Sequence, residues 1–123
     1  MKKDTRTEAQ ILLAEHHLPE LGLVCLCEQY FSEERNWRFD VFIPQLHLAI
    51  EIHGGQHTGG HRRGAWSGKE AARRKAKGLV DTPQEDEYTK LNAAQMAGFR
   101  VLQFTNEQVK DGRAKAFIAG YVK

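Results

Sequence analysis

FDVFIP at residues 39–44 and HLAIEIHGG at residues 47–55 are the two stretches on which the fold turns. Each is a short run of β-branched, aromatic and aliphatic residues, closed by Pro44 in the first case and by Gly54-Gly55 in the second, which predicts strands over Trp37 to Ile43 and Leu46 to His53. Alternation places Arg38, Asp40 and Phe42 on one face of the first strand and Phe39, Val41 and Ile43 on the other. In the next strand Leu46, Leu48, Ile50 and Ile52 form an apolar face opposite His47, Ala49, Glu51 and His53. The apolar set is expected to be core. Glu51 and His53 are therefore expected to turn away from it toward the surface, where Asp40 joins them.

An acid on each of two adjacent strands is a way for a small protein to build a divalent-metal site. Two converging carboxylates repel one another, and one tends to take up a proton unless a cation intervenes. Magnesium accepts one or two carboxylates together with carbonyl oxygens and waters, which makes Asp40, Glu51 and the backbone carbonyl of Ile52 the expected ligands. Such an ion lowers the pKa of water and stabilises charge building on a phosphate. His53 has two readings: an imidazole that orients or deprotonates the attacking water, or a hydrogen bond at the strand end.

Working outward, residues from about Thr7 to Leu18 read as a helix ended by Pro19, with capping-box spacing at Thr5 and Glu8 or at Thr7 and Gln10. Leu23 to Phe31 reads as a first strand, and a charged turn around Glu33 to Asn36 leads into the Asp40 strand. A glycine-rich, basic insertion follows the third strand at about residues 58–83. A helix over Gln84 to Ala97 stops at Gly98, a strand covers Phe99 to Thr105, and one or two short helices form the tail. The expected class is α/β, in the order α-β-β-β-α-β-α, with a mixed four- to five-stranded sheet flanked by helices.

A chain of 123 residues is long enough for one such domain, taken here as residues 1–123. No run approaches the roughly 20 apolar residues of a membrane span. The N-terminal MKKDTRTEAQ lacks the pattern of a secretory signal, so a soluble, cytoplasmic protein is expected. Cys25 and Cys27, two apart in an apolar run, are expected to be reduced thiols rather than a disulfide.

The net charge is only +2, but Arg62, Arg63, Lys69, Arg73, Arg74, Lys75 and Lys77 fall between residues 61 and 77 against the single acid Glu70. Such a run follows polyanions through salt-sensitive phosphate contacts, or is simply a solvated insertion. Beside a pair of metal-binding acids, DNA or RNA is the expected partner, with the insertion ordering on it. Trp66 either stacks on an unpaired base or folds onto the domain, and Trp37 is expected in the core. His53, His57 and His61 recur every four residues, the spacing of zinc ligands on a helix, but Gly54, Gly55, Gly59 and Gly60 oppose that helix and no cysteine lies near to complete a tetrahedron.

Taken together these residues resemble the PD-(D/E)XK nuclease superfamily, and within it the very-short-patch-repair endonuclease-like branch. The match consists of Asp40-Val-Phe-Ile-Pro44, Ala49-Ile-Glu-Ile-His-Gly-Gly-Gln-His57, and Gly98-Phe-Arg-Val-Leu-Gln-Phe104 followed by Asn106-Glu107-Gln108-Val109. The resemblance spans roughly Glu8 to Val109 and implies a magnesium- or manganese-dependent endonuclease acting on DNA, with Asp40 and Glu51 as metal ligands. It further implies an acid on the first helix, which maps to Glu8, whose competing role is the helix cap. The lysine usual two residues after the glutamate is His53 here. Lys90 on the second helix is the candidate to compensate, against an i,i+4 ion pair with Asp86. His57 matches the family's G-x-x-H histidine, and Gln95 reads as a surface amide. By analogy with small stand-alone members, branched, recombination or repair DNA is the expected substrate and a homodimer an open partner. The alternative to an enzyme is a DNA-binding module with a degenerate site.

Overall fold

The computed structural model describes residues 6–32, 37–54, 66 and 68–122. Among these, Thr7 caps a helix α1 (Glu8–Leu12) by accepting from the Gln10 N–H while the Gln10 side chain accepts from the Thr7 N–H, which selects the second of the two expected capping boxes. The helix runs on through a π-helical turn, Leu13–His17, and a 3₁₀ turn, Pro19–Leu21, ending at Gly22 in the left-handed conformation. The sheet contains β1 (Leu26–Ser32), β2 (Trp37–Ile43), β3 (Leu48–His53) and β4 (Arg100–Thr105), in the spatial order β1-β2-β3-β4. The first two pairings are antiparallel and the β3–β4 pairing is parallel, as a mixed sheet with a helical crossover requires.

The crossover consists of α2 (Gly68–Ala76) and α3 (Pro83–Met96), and α4 (Asn106–Lys110) and α5 (Arg113–Ala119) close the chain. The helix α2 lies where the sequence predicts only a basic insertion. Gly98 (φ +94°) ends α3 with its own N–H on Gln95 and that of Phe99 on Ala94, so the expected glycine cap is present. Strand β3 starts two residues later than expected, because Pro44–Leu46 is a 3₁₀ turn and His47 is left-handed. Strand β1 begins at Leu26, three residues later than expected. The charged turn at residues 33–36 lies outside the described residues.

Both faces of the sheet are covered. On one, Val41, Ile43, Leu48, Ile50 and Phe104 pack against Ala9, Leu13 and Leu18 from the first helical segment, Val109 from α4 and Ala114 and Ile118 from α5. On the other, Phe39, Ala49 and Ala94 of α3 form a smaller cluster with Phe31, Phe42, Phe99 and Val101. The rings of Phe31 and Phe39 stack at 4.3 Å, and Phe39 meets the edge of Phe99 at 5.1 Å. The expectation that Glu51 turns toward the surface is thereby corrected: α3 covers its face, and Glu51 is 4% exposed.

A second correction concerns alternation. Phe39 belongs to the α3 side while Val41 and Ile43 belong to the opposite side, so β2 changes face at Asp40. Strand β1 does the same, since Cys25 and Cys27 pack on the first cluster and Phe31 on the second. The register pairs Cys27 with Val41 and Gln29 with Phe39, so the two changes of face lie side by side, at Glu28 and Asp40. Glu28 takes φ +58°, a left-handed conformation that side chains other than glycine rarely adopt. Both cysteines are free thiols, and burial pushes that of Cys25 up to about 11.

Candidate active site

The regular β2–β3 ladder pairs Ile43 with Leu48, Phe42 with Ala49 and Val41 with Ile50, and stops there. Beyond it the strands satisfy one another through side chains. The Asp40 N–H donates to Glu51 Oε2 at 3.1 Å, and the Ile52 N–H donates to Asp40 Oδ2 at 2.7 Å. Buried amides need acceptors, so each carboxylate replaces a missing ladder bond and is fixed in the gap between the strands. Asp40 and Glu51 thus do converge. Ile52 contributes its N–H to this arrangement, a contact separate from the metal-ligand role expected of its carbonyl.

Lys90 completes the cluster from α3, with Nζ 2.6 Å from Glu51 Oε1 and both side chains nearly buried. The i,i+4 alternative is corrected: Asp86 accepts instead from Trp37 Nε1 at 2.8 Å and Arg74 at 3.1 Å. His53 is set at the rim, its Nε2 2.8 Å from Gln103 Oε1 on β4, where the parallel register brings Gln103 beside Glu51.

Burial dominates the electrostatics. It pushes the Glu51 carboxyl up to about 7, with Lys90 pulling it down and the neighbouring Asp40 pushing it further up. Asp40 is raised for the same first reason; the Ile52 N–H and Lys90 lower it and Glu28 raises it. One ammonium therefore leaves two desolvated carboxylates undercompensated. Among the described residues Asp40 Oδ1 accepts no hydrogen bond. No group of three or more His, Cys, Asp or Glu among them is arranged to hold a metal ion. A hard cation such as magnesium needs only one or two carboxylates, its remaining ligands being waters, so the pair with one uncommitted oxygen fits that chemistry.

Glu8 is not at the site: 92% of its side chain is exposed, and its carboxylate lies 3.7 Å from Lys110. The residue of α1 that reaches the acids is Gln10, whose Nε2 donates to the Asp40 carbonyl at 2.8 Å and to Glu28 Oε2 at 2.7 Å. The sequence reading missed both Gln10, beyond its cap, and Glu28. The one available signal for Gln10 was a polar residue on the inward side of an apolar helix.

The basic stretch divides into two groups. Arg74, expected on DNA, is 4% exposed: it binds Glu70 at 2.6 Å and Asp86 at 3.1 Å, and its guanidinium lies 3.7 Å from the centre of the Trp66 ring. It anchors α2 to α3. Trp66 is folded onto the domain, its Nε1 donating to the Asp81 carbonyl, and Trp37 is buried as expected. Arg73 pairs with Glu70, whereas Lys69, Lys75 and Lys77 are exposed. Gln95 is exposed as well. His57, His61, Arg62 and Arg63 lie outside the described residues, and with them the three-histidine zinc reading.

No family model matches the chain, and no curated protein does. Among solved structures, the catalytic domain of the homing endonuclease I-Bth0305I is similar, with a TM-score of 0.56 over 91% of this chain and 90% of that one, at 19% sequence identity. At that identity the likeness establishes a common fold, a mixed four-stranded sheet flanked by helices.

Proposed function

We propose that this chain is a metal-dependent endonuclease that hydrolyses phosphodiester bonds in DNA, in the manner of the PD-(D/E)XK superfamily and its very-short-patch-repair-like branch. The observation that carries the reading is the pair of buried carboxylates, Asp40 and Glu51, held in a gap in the sheet with Lys90 on Glu51. The fold shared with an endonuclease catalytic domain supports it. Magnesium or manganese would be held by Asp40 and Glu51, with the Ile52 carbonyl as a further ligand. When bound it supplies Lewis acidity, lowering the pKa of water and offsetting charge on the phosphate.

The chain's own residues do the rest. Lys90 brings to Glu51, from a helix, the ammonium that an E-x-K triplet supplies from the strand, and offers it to the phosphate. His53 or His57 accepts the proton of the attacking water. Lys69, Lys75 and Lys77, together with Arg62 and Arg63, follow the DNA backbone, while Arg74 is reassigned to structure. Branched, repair or recombination DNA is the substrate class in this reading.

Cleavage of matched branched and linear oligonucleotides, with magnesium or manganese, tests it. Wild type is expected to cut the branched form faster, and Asp40→Asn to bind it while cutting about a thousandfold more slowly, equivalent to roughly 4 kcal/mol of transition-state stabilisation. Binding without cutting by wild type, with either metal, would instead establish a DNA-binding module.

A further inference from the structure

We propose that Gln10 and Glu28 act as a positioning pair for Asp40 and thereby set how tightly the carboxylate site takes a divalent cation; the proposal rests on the metal-dependent reading above. Gln10 is 4% exposed on a helical segment whose other buried residues, Ala9, Leu13 and Ala14, are apolar. A buried amide there is costly unless its polar atoms are engaged. All are: Oε1 accepts from the Thr7 N–H, and Nε2 donates to the Asp40 carbonyl and to Glu28 Oε2.

Those last two bonds reach the two positions at which β1 and β2 change face. Glu28 holds a left-handed backbone, a costly conformation for a residue with a side chain that persists only where the surroundings enforce it. Its carboxylate is held between the Gln10 amide and the Arg38 guanidinium, 3.1 Å away. One side chain from α1 therefore ties both kinks together, and the kink at Asp40 is what carries its carboxylate to the Ile52 N–H. Glu28 adds a negative charge close enough for Asp40 to feel. Without Gln10 the kinks lose their common tie, and without the Glu28 charge a cation loses part of its attraction to the gap.

Manganese binding to the metal-free full chain, measured by titration calorimetry, tests the pair without requiring turnover. Gln10→Met keeps the length and removes the donors; Glu28→Gln keeps the shape and removes the charge. Each is expected to weaken manganese binding roughly 10- to 100-fold, the usual effect of losing a partner that orients a metal ligand. The double variant is expected to fall little below either single one, because both act through one network. Ile118→Val, which thins the aliphatic core under α5, is expected to lower stability and leave manganese affinity unchanged. Wild-type affinity in Gln10→Met and Glu28→Gln, or an equal loss in Ile118→Val, overturns the pair and leaves the nuclease reading standing. A wild type that neither binds manganese nor cuts DNA overturns both. Should Gln10→Met fail to fold, Glu28→Gln alone decides.

Discussion

The sheet face that meets α1, α4 and α5 and the face that meets α3 are both buried along the two central strands, but they are built from opposite materials. The first is aliphatic, with Val41, Ile43, Leu48 and Ile50 almost wholly buried. The second surrounds a small aromatic cluster with buried charges: Glu51 against Lys90, and Asp86 against Arg74 and Trp37. Burying apolar area stabilises in proportion to that area. Burying an ion pair gives little net stability, yet removing one partner leaves an uncompensated charge. The first face therefore supplies stability, and the second gives up some of it to hold charged groups in fixed positions.

Breaking this contrast by mutation gives the largest expected effect. Asp86→Ala removes the acceptor of Trp37 and the buried one of the two carboxylates that hold Arg74, and is expected to cost about 3–5 kcal/mol. Ile50→Ala, on the aliphatic face, is expected to cost about 2–5 kcal/mol. The two differ in how they are repaired. Arg74→Met with Asp86→Leu is expected to lose less than Asp86→Ala alone, since no charge is left stranded. Urea unfolding measures all three, and an Asp86→Ala loss below about 1 kcal/mol would show that the charged face is not held by this pair.

The contrast also explains what the sequence disclosed. On the aliphatic face the pattern was sufficient: β2 has the expected bounds, and Ile50 and Leu48 are core. The convergence of Asp40 and Glu51 was legible too, from two acids at matching places in neighbouring strands. What escaped depends on contacts distant in the chain. Alternation assumes an unbroken pleat, so the change of face at Glu28 and Asp40, stabilised by a glutamine 18 and 30 residues away, left no local trace. The helix α2 read as a loop because Arg74 is its one buried residue, with no apolar stripe to mark it. The i,i+4 rule offered Asp86 to Lys90, but Asp86 is held by residues 12 and 49 positions away.

An intermediate effect is expected from pH. Glu51 holds its proton more tightly in the folded chain, up to about 7, than at its ordinary value of 4.5. The neutral carboxyl favours folding: its contribution is fully present below about 4.5 and is lost as the pH rises through about 7. Asp40 shifts in the same direction. Metal-free wild type should therefore be less stable at pH 8 than at pH 5, by up to about 3 kcal/mol relative to Glu51→Gln. Magnesium or manganese should reduce the difference by binding the ionised pair. Thermal melts of both proteins across this window test the sign, and a wild type that gains stability relative to Glu51→Gln as the pH rises would contradict it.

The smallest effect separates cations that hold the fold from cations that meet DNA. Lys75 is exposed on α2 beside the buried Arg74, so neighbouring residues on one helix are assigned to different tasks. A lysine that neutralises a phosphate releases a counterion, and losing it lowers the slope of log affinity against log salt by about 0.9. Lys75→Ala should show that change with unaltered folding stability, whereas Arg74→Met should lower stability and, while folded, keep the wild-type slope. DNA binding at several salt concentrations distinguishes them. The reverse result would mean that α2 docks onto DNA through the residue that here ties it to Asp86, and that the charged face rearranges on binding.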